Sequence, residues 1–277
     1  MSINQWTTHH AARREGEKNM ATFLNDSPIF GPVRSRRLGV SLGVNLMPST
    51  GKICTFDCIY CENGFNSQRR TRDGYASLED VASGLRASLE LMAADDDLPD
   101  VITFAGNGEP TASPIFPKAV EVAIALRDEL APQAKIAVLS NGTFADRPAV
   151  RDALLKVDDN ILKLDAHADA LARALDRPNV PYSVEHQVQA YAAFDGHVIV
   201  QTIFLEGTFE GHDVSNTSYD QVSEWLEDIK RIAPQYATIY TIARDTPASD
   251  LRKASRETMD AIADRVRAAG IRCQVSY

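Results

Sequence analysis

The sequence predicts an α/β fold built as a partial (β/α)6 barrel, similar to a TIM barrel. From about residue 28 onward, short apolar runs alternate with amphipathic helical patterns, which indicates βαβ units and a parallel sheet. Polar residues follow most of the apolar runs, at the edge where an α/β barrel carries its functional groups. The chain has 277 residues and is 44% hydrophobic, which is enough for one large core without a second domain.

The first residues differ in character from the rest. Residues 1–27 are polar, of mixed charge and without sustained periodicity. We therefore predict a flexible N-terminal extension over 1–27 and a single domain over 28–277.

The strands are predicted from short apolar runs bounded by turn residues, and they fall at 40–46, 101–105, 136–139, 161–164, 198–204, 237–242 and 271–276. The helices are predicted where apolar residues recur every three or four positions, near 77–93, 115–130, 146–156, 184–194, 218–232 and 254–269. Ser77, with Asp80 three residues later, is a candidate N-cap for the first helix. Six βα units favour a partial barrel over a doubly wound sheet.

Three cysteines follow the first strand closely. Cys54, Cys58 and Cys61 have C-x3-C-x2-C spacing. Three thiolates from one loop can hold three irons of a cubane cluster and leave the fourth iron open, as a catalytic metal site requires. Tyr60 can shield one flank of such a cluster. A zinc knuckle is the alternative reading of the same loop.

Charge and cysteine usage restrict the class of protein. The formal net charge of −9 disfavours a strong non-specific grip on nucleic acid. Four cysteines, three of them within eight residues, do not form a secreted disulfide framework and suit a reducing compartment. No apolar run of about 20 residues is present, so we expect a soluble, cytoplasmic protein without a membrane partner.

Two further strands end in candidate ligand-binding residues. After 101–105, Gly106 and Gly108 allow close approach of the backbone to a ligand, and Glu109 projects a fixed carboxylate from the barrel rim. After 136–139, Ser140 and Asn141 offer small polar groups. At this second turn, a helix N-cap role for a neighbouring residue competes with ligand binding.

The strand 161–164 carries two charges. Period-two alternation places Lys163 and Asp165 on one face, which must be the interior of a barrel covered by helices. Buried charge is costly unless it is paired or used, so a structural ion pair competes with a catalytic role. We favour catalysis, and therefore expect the pair to be solvent-accessible, and Asp165→Asn to keep a near-native melting temperature but slow turnover tenfold or more.

The later strand ends add weaker candidates. Gln201 lies on an interior position of 198–204, and Arg244 suits either a substrate carboxylate or phosphate, or a solvated salt bridge at the rim. His167 and His212 lie just beyond strand ends and are candidate proton donors. Cys273 is expected to be a small buried residue of the last strand.

Together these motifs resemble those of the radical S-adenosylmethionine (radical SAM) superfamily, in particular its wyosine-synthase-related iron–sulfur oxidoreductases. The resemblance covers roughly residues 30–250 and rests on five motifs: Gly-Pro-Val-Arg-Ser-Arg-Arg-Leu-Gly at 31–39, the cysteine loop, Gly-Asn-Gly-Glu-Pro-Thr at 106–111, Leu-Ser-Asn-Gly-Thr at 139–143 and Lys-Leu-Asp-Ala at 163–166. Asn107 stands between the glycines where the superfamily usually has Gly-Gly-Glu-Pro.

The resemblance implies a radical SAM core with a [4Fe–4S] cluster on the three cysteines. It further implies S-adenosylmethionine (SAM) at residues shared among the strand ends: Tyr60, Gly106, Gly108, Glu109, Ser140, Asn141 and Gln201. Glu109 would receive the ammonium group of SAM. Reduction by a partner such as flavodoxin or ferredoxin would split SAM to a 5′-deoxyadenosyl radical, which abstracts hydrogen from an unidentified small molecule, peptide or nucleotide.

One departure limits the resemblance. Wyosine synthases carry further N-terminal cysteines for a second cluster, and the N-terminal segment of this sequence has none. A glycyl-radical-enzyme activase and another tRNA-modifying radical SAM enzyme remain alternatives within the superfamily. A non-catalytic, zinc-stabilised binding module is the alternative of a different class, although Glu109 and an interior Lys163–Asp165 pair favour an enzyme.

Overall fold

The structure is a computed structural model that describes residues 23–35 and 38–277. Residues 1–22, which make up most of the predicted extension, lie outside the described residues. Arg36 and Arg37 of the motif at 31–39 lie outside them as well.

The described chain forms an open, curled sheet whose strands follow the order β1-β2-β3-β4-β5-β6-β9-β11. These are β1 (Ile29–Ser35), β2 (Gly39–Val44), β3 (Val101–Phe104), β4 (Lys135–Ser140), β5 (Asp159–Lys163), β6 (Ile199–Ile203), β9 (Tyr236–Tyr240) and β11 (Cys273–Ser276). Strand β1 is antiparallel to β2, and the other neighbours are parallel. The predicted partial barrel is confirmed.

Helices follow the parallel strands: α1 (Leu78–Ala94), α2 (Phe116–Leu130), α3 (Pro148–Leu154), α4 (Asp169–Leu175), α5 (Val184–Ala192), α6 (Tyr219–Ile232) and α7 (Arg256–Ala268). Six of them match the predicted helices, and α4 was not predicted. The Ser77 side chain accepts a hydrogen bond from the backbone N–H of Asp80, so the predicted cap of α1 is confirmed. Among the described helices, none combines the length and the apolar character needed to cross a membrane.

Several elements were not predicted. Strand β1 contains Pro32, which indicates a turn in the sequence. Proline is tolerated on an edge strand, because the position of its missing N–H can face away from the neighbouring strand. A small sheet in the order β10-β7-β8 joins β7 (Leu205–Phe209), β8 (His212–Asp213) and β10 (Leu251–Lys253). These strands are too short or too rich in polar residues to give a period-two signal.

The inner face of the sheet has an apolar floor. Val101, Ala137, Ile161 and Ile199, near the starts of neighbouring strands, pack together as a cluster separate from the main core. Because side chains alternate, the residues two positions later, which include Lys163 and Gln201, share this inner face nearer the carboxyl edge. The floor therefore closes one end of the barrel, and polar groups collect at the other.

Candidate active site at the carboxyl edge of the sheet

The cysteine loop is fastened to the turn after β3 by a short parallel bridge between Ile53 and Gly108. The N–H of Ile53 donates to the carbonyl of Asn107 (3.1 Å), and the N–H of Glu109 donates to the carbonyl of Ile53 (3.0 Å). Gly108 has φ +138°, and a Cβ there would collide with the Ile53 carbonyl oxygen. Only glycine therefore permits this close approach.

The three thiols lie in different surroundings. Cys54 Sγ accepts from the backbone N–H of Phe56 (3.4 Å) and lies 3.7 Å from Asn141 Nδ2. Cys58 is buried, and its Sγ lies 3.4 Å from Asp176 Oδ1. Burial raises the pKa of Cys54 to about 12 and that of Cys58 well above its usual range. Metal coordination is one means of deprotonating such buried thiols.

Lys52 places a buried positive charge beside the cysteine loop. Its Nζ lies 3.4 Å from Cys61 Sγ and donates to the Gly64 carbonyl (2.8 Å), and its side chain is 1% exposed. Burial acts to lower the pKa of Lys52, but the nearby cysteines outweigh it and raise that pKa above its usual value. The sequence analysis did not identify Lys52. The only indication in the sequence was that a lysine stands two residues before the first cysteine.

The donor set fits an iron–sulfur cluster. Its members are thiols from one loop, with N–H donors and a lysine directed at the sulfurs, as anionic thiolates need. Within the described residues, no three His, Cys, Asp or Glu side chains surround a single point as ligands of one metal ion. A cubane does not require such convergence, because each thiolate binds a different iron.

Glu109 is held rigidly at the end of β3. Its Oε1 accepts from Ser140 Oγ (2.7 Å) and from both the N–H (3.0 Å) and Oγ1 (2.5 Å) of Thr111, and its Oε2 accepts from the N–H of Asn141 (2.7 Å). Burial raises the pKa of Glu109, and these hydrogen bonds oppose the rise. Ser140 and Asn141 thus fix the Glu109 carboxylate, and Asn141 links it to Cys54.

Asn107 joins several segments around the site. Its Oδ1 accepts from the N–H of Asn25 (2.7 Å), and its Nδ2 donates to the carbonyls of Asn25 and Pro48 (2.8 Å each). Its own N–H donates to Asn45 Oδ1 (3.1 Å), and its side chain is fully buried. The asparagine between the two glycines therefore ties residues 23–27, the described part of the predicted extension, to the site.

A buried polar network lies behind the cysteines. Lys163 Nζ lies 3.3 Å from Asp165 Oδ2 and donates to Tyr240 Oη (3.0 Å). The Tyr60 hydroxyl bonds with Asp165 and, at 2.6 Å, with Asp176 Oδ1. Burial and the charge of Asp165 raise the pKa of Asp176 well above its usual range, although Lys163 opposes the rise.

The expected accessibility of the charged pair is wrong for Asp165. Its side chain is fully buried, and Oδ1 accepts from the N–H of Ile203 (2.9 Å), while the side chain of Lys163 is 15% exposed. The alternation rule gave the correct face but carried no information about depth. Asp176 follows α4 rather than a strand, so no pattern in the sequence linked it to Cys58.

The remaining candidates form no hydrogen bond with Cys54, Cys58 or Cys61 in the described part of the chain. Arg244 forms an exposed ion pair with Glu62 (2.5 Å), which is the solvated rim salt bridge weighed above. His167 Nδ1 lies 2.6 Å from the buried Asp228, and His212 is exposed on β8. Gln201 is buried on β6 next to Lys163. Cys273 is buried in β11, as expected.

Comparison with known proteins identifies the family. A UPF0026 protein of Helicobacter pylori is 30% identical over 227 residues, which cover 80% of this chain and 67% of the relative. The chain belongs to the UPF0026 family. The UPF0026 protein of Methanocaldococcus jannaschii is 33% identical, over 64% of this chain and 53% of the relative. A protein named GTPase Obg of Brachyspira hyodysenteriae is 28% identical over 86% of this chain.

This UPF0026 chain spans about half the length of the Methanocaldococcus relative and 33% of the Brachyspira protein. No protein-family model matches it. Among solved structures, a radical SAM methyltransferase of Sphaerobacter thermophilus gives a TM-score of 0.64 at 18% identity, over 86% of this chain and 66% of that one. SAM-bound SuiB of Streptococcus suis gives a TM-score of 0.60 at 14% identity, over 84% of this chain and 49% of SuiB. The fold is therefore that of radical SAM enzymes.

The burial of Asp165 predicts a stability cost. Asp165→Asn leaves the Lys163 ammonium without its buried partner, which we expect to cost about 3 kcal/mol and to lower the melting temperature by about 6–12 °C. Asp146→Asn is the control, because Asp146 pairs with His186 at the surface and such pairs contribute little. Equal melting temperatures for both variants by calorimetry would contradict a structural contribution of Asp165.

The contacts of Asn107 predict that residues 23–27 depend on its side chain. Asn107→Ala leaves buried backbone groups of Asn25 and Pro48 without partners, at a cost of about 2–3 kcal/mol. We expect faster amide hydrogen exchange at residues 23–27, with β3 and β4 unaffected. Asn107→Asp keeps the acceptor and loses the donor, so its exchange rate at residues 23–27 should lie between those of the unsubstituted protein and Asn107→Ala. Unchanged exchange in Asn107→Ala, with Gln189→Ala on the exposed face of α5 as reference, would refute this role.

Proposed function

We propose that this UPF0026 protein is a radical SAM enzyme with a [4Fe–4S] cluster on Cys54, Cys58 and Cys61. The observation that carries the proposal is the Ile53–Gly108 bridge, which joins the three-cysteine loop to the turn bearing Glu109. It does so at the carboxyl edge of a sheet whose fold is shared with radical SAM enzymes. The wyosine-synthase-related resemblance of the motifs supports the same assignment.

When bound, the reduced cluster would supply the electron that splits SAM into methionine and a 5′-deoxyadenosyl radical. The chain's own residues would bind and orient SAM. Glu109 would receive the ammonium group of SAM. Ser140 and Asn141 hold the Glu109 carboxylate in place before SAM arrives. A carboxylate fixed in this way loses little conformational entropy on binding.

Lys52 and Asn141 would act on the electronics of the cluster. Both direct N–H groups at cysteine sulfur atoms. Hydrogen bonds and positive charge next to the sulfurs stabilise the more negative, reduced state and so raise its reduction potential. The potential in turn decides which carrier, such as a flavodoxin or ferredoxin, can deliver the electron.

The interior network would position the substrate or SAM. Lys163, backed by Asp165 and next to Tyr240, presents a partly exposed cation inside the barrel. Such a cation suits a carboxylate or phosphate group on the bound molecule. We therefore assign Lys163 to contact with the bound molecule, with Asp165 holding its ammonium group in position.

The ligand assignment predicts a metal-content experiment. After anaerobic reconstitution, the unsubstituted protein should contain about four iron and four sulfide per chain. Cys58→Ala should lose the cluster, because two thiolates do not retain a labile cubane, and its brown absorbance should fall to background. Cys273→Ala should keep full iron, since Cys273 lies in β11. Stoichiometric zinc without sulfide would instead support the binding-module alternative.

The position of Lys52 predicts a change in reduction potential. Lys52→Met removes the buried charge beside Cys61, so the reduced cluster loses stabilisation and the midpoint potential should become more negative. We expect about 60 mV, equivalent to a tenfold change in a one-electron equilibrium. Lys118→Met, on the exposed face of α2, is the matched control. An unchanged midpoint in a redox titration followed by electron paramagnetic resonance would exclude this role.

A further inference from the structure

The segment that follows the cysteine loop is basic, although the chain as a whole is acidic. Residues 66–72 contain Arg69, Arg70 and Arg72 and no acidic residue, whereas the net charge of the chain is −9. We call these three arginines the basic strip. The proposed chemistry does not use their charges.

The basic strip lies directly against the cysteine loop. The N–H of Lys52 donates to the carbonyl of Arg69 (2.8 Å), and Lys52 Nζ lies 3.4 Å from Cys61 Sγ. Asn66 donates from its backbone to Asp57 Oδ1 (2.6 Å) and from its side chain to the Phe56 carbonyl (3.0 Å). One residue, Lys52, therefore connects the backbone of the basic strip with a sulfur atom of the predicted cluster.

Two of the three charges of the basic strip face solvent. Arg70 and Arg72 are exposed, and neither forms an ion pair with another residue of the described chain. The backbone that carries them is held in place, because Thr71 hydrogen-bonds Thr50 (2.8 Å) and packs against Gly51. Arg70 and Arg72 thus present exposed positive charge on a well-anchored backbone beside the cysteine loop.

We propose that the basic strip docks an acidic one-electron carrier protein, of the flavodoxin or ferredoxin class, for electron transfer to the cluster. The inference rests on the proposed function, which requires one electron to leave the carrier and enter the cluster, with no bond made or broken. A chain with net charge −9 repels an acidic carrier as a whole, whereas the arginines of the strip attract it. Such complementarity directs the encounter to one orientation.

The number of charges favours a protein over a nucleic acid. Tight binding to a phosphate backbone uses about 6–10 phosphate contacts, and the strip supplies three arginines on an otherwise acidic chain. A transient electron-transfer complex needs only a small interface, below about 1,200 Å². Three arginines next to a redox centre suit the second purpose.

The experiment uses the full chain after anaerobic reconstitution of its cluster. The charge-reversal variant is Arg70→Glu with Arg72→Glu. The matched control is Lys156→Glu with Arg272→Glu, two exposed positions just before β5 and β11, at the opposite edge of the sheet. Both variants change the net charge by the same amount. Stopped-flow absorbance measures reduction of the cluster by a photoreduced acidic flavodoxin, and separately by dithionite, which needs no docking surface.

The charge reversal should slow reduction by flavodoxin at least tenfold at low ionic strength, and the difference should shrink at about 1 M salt, where charges are screened within roughly 3 Å. The control pair, and Arg70→Lys with Arg72→Lys, should react like the unsubstituted protein. Dithionite should reduce all four proteins equally.

Unchanged reduction by flavodoxin in the charge-reversal variant, with a full cluster, would overturn the docking proposal alone. So would a transfer RNA that binds the unsubstituted protein, loses affinity on charge reversal and leaves flavodoxin reduction unchanged, since the strip would then serve nucleic acid. If the unsubstituted protein holds no cluster that dithionite can reduce, the proposed function fails, and the docking proposal fails with it.

Discussion

The backbone bridge between Ile53 and Gly108 is the constraint on which the site depends. It brings two loops from different βα units within hydrogen-bond distance, and it does so only because residue 108 lacks a side chain. Through this bridge the cysteine loop takes its position from β3, and β3 takes its position from the sheet. The positions of the sulfurs relative to Glu109 are therefore fixed by backbone geometry rather than by flexible side chains.

Most of the fold could be predicted because each parallel strand is a short apolar run followed by an amphipathic helix, and because residue alternation placed Lys163 and Asp165 on the inner face. The same rules could not predict how deeply a side chain is buried. Asp165 is fully buried because Ile203 and Asn216 pack around it from later segments. Burial of this kind depends on tertiary packing, which one strand's period does not encode.

The residues that sequence reasoning missed share a cause. Lys52 and Asp176 act on Cys61 and Cys58 from a loop and a helix end, where neither period nor motif distinguishes a functional charge from a solvated one. Asn107 was visible only as a departure from a glycine pattern. Its contacts show why the departure is tolerated: the asparagine amide pairs with both backbone groups of Asn25, as a neighbouring strand would.

The Asn25–Asn107 contact has a consequence for the order in which the chain acquires its structure. Its two partners are separated by 82 positions, so the early segment leaves the ribosome long before the turn that receives it exists. Contacts of such high sequence separation form late, because a long loop must close first. The same holds for the cysteine loop, because its bridge from Ile53 to Gly108 needs the second βα unit. The surroundings of the loop are therefore complete only after that unit has been synthesised. Until then its thiols are open to oxidation or to stray metal ions.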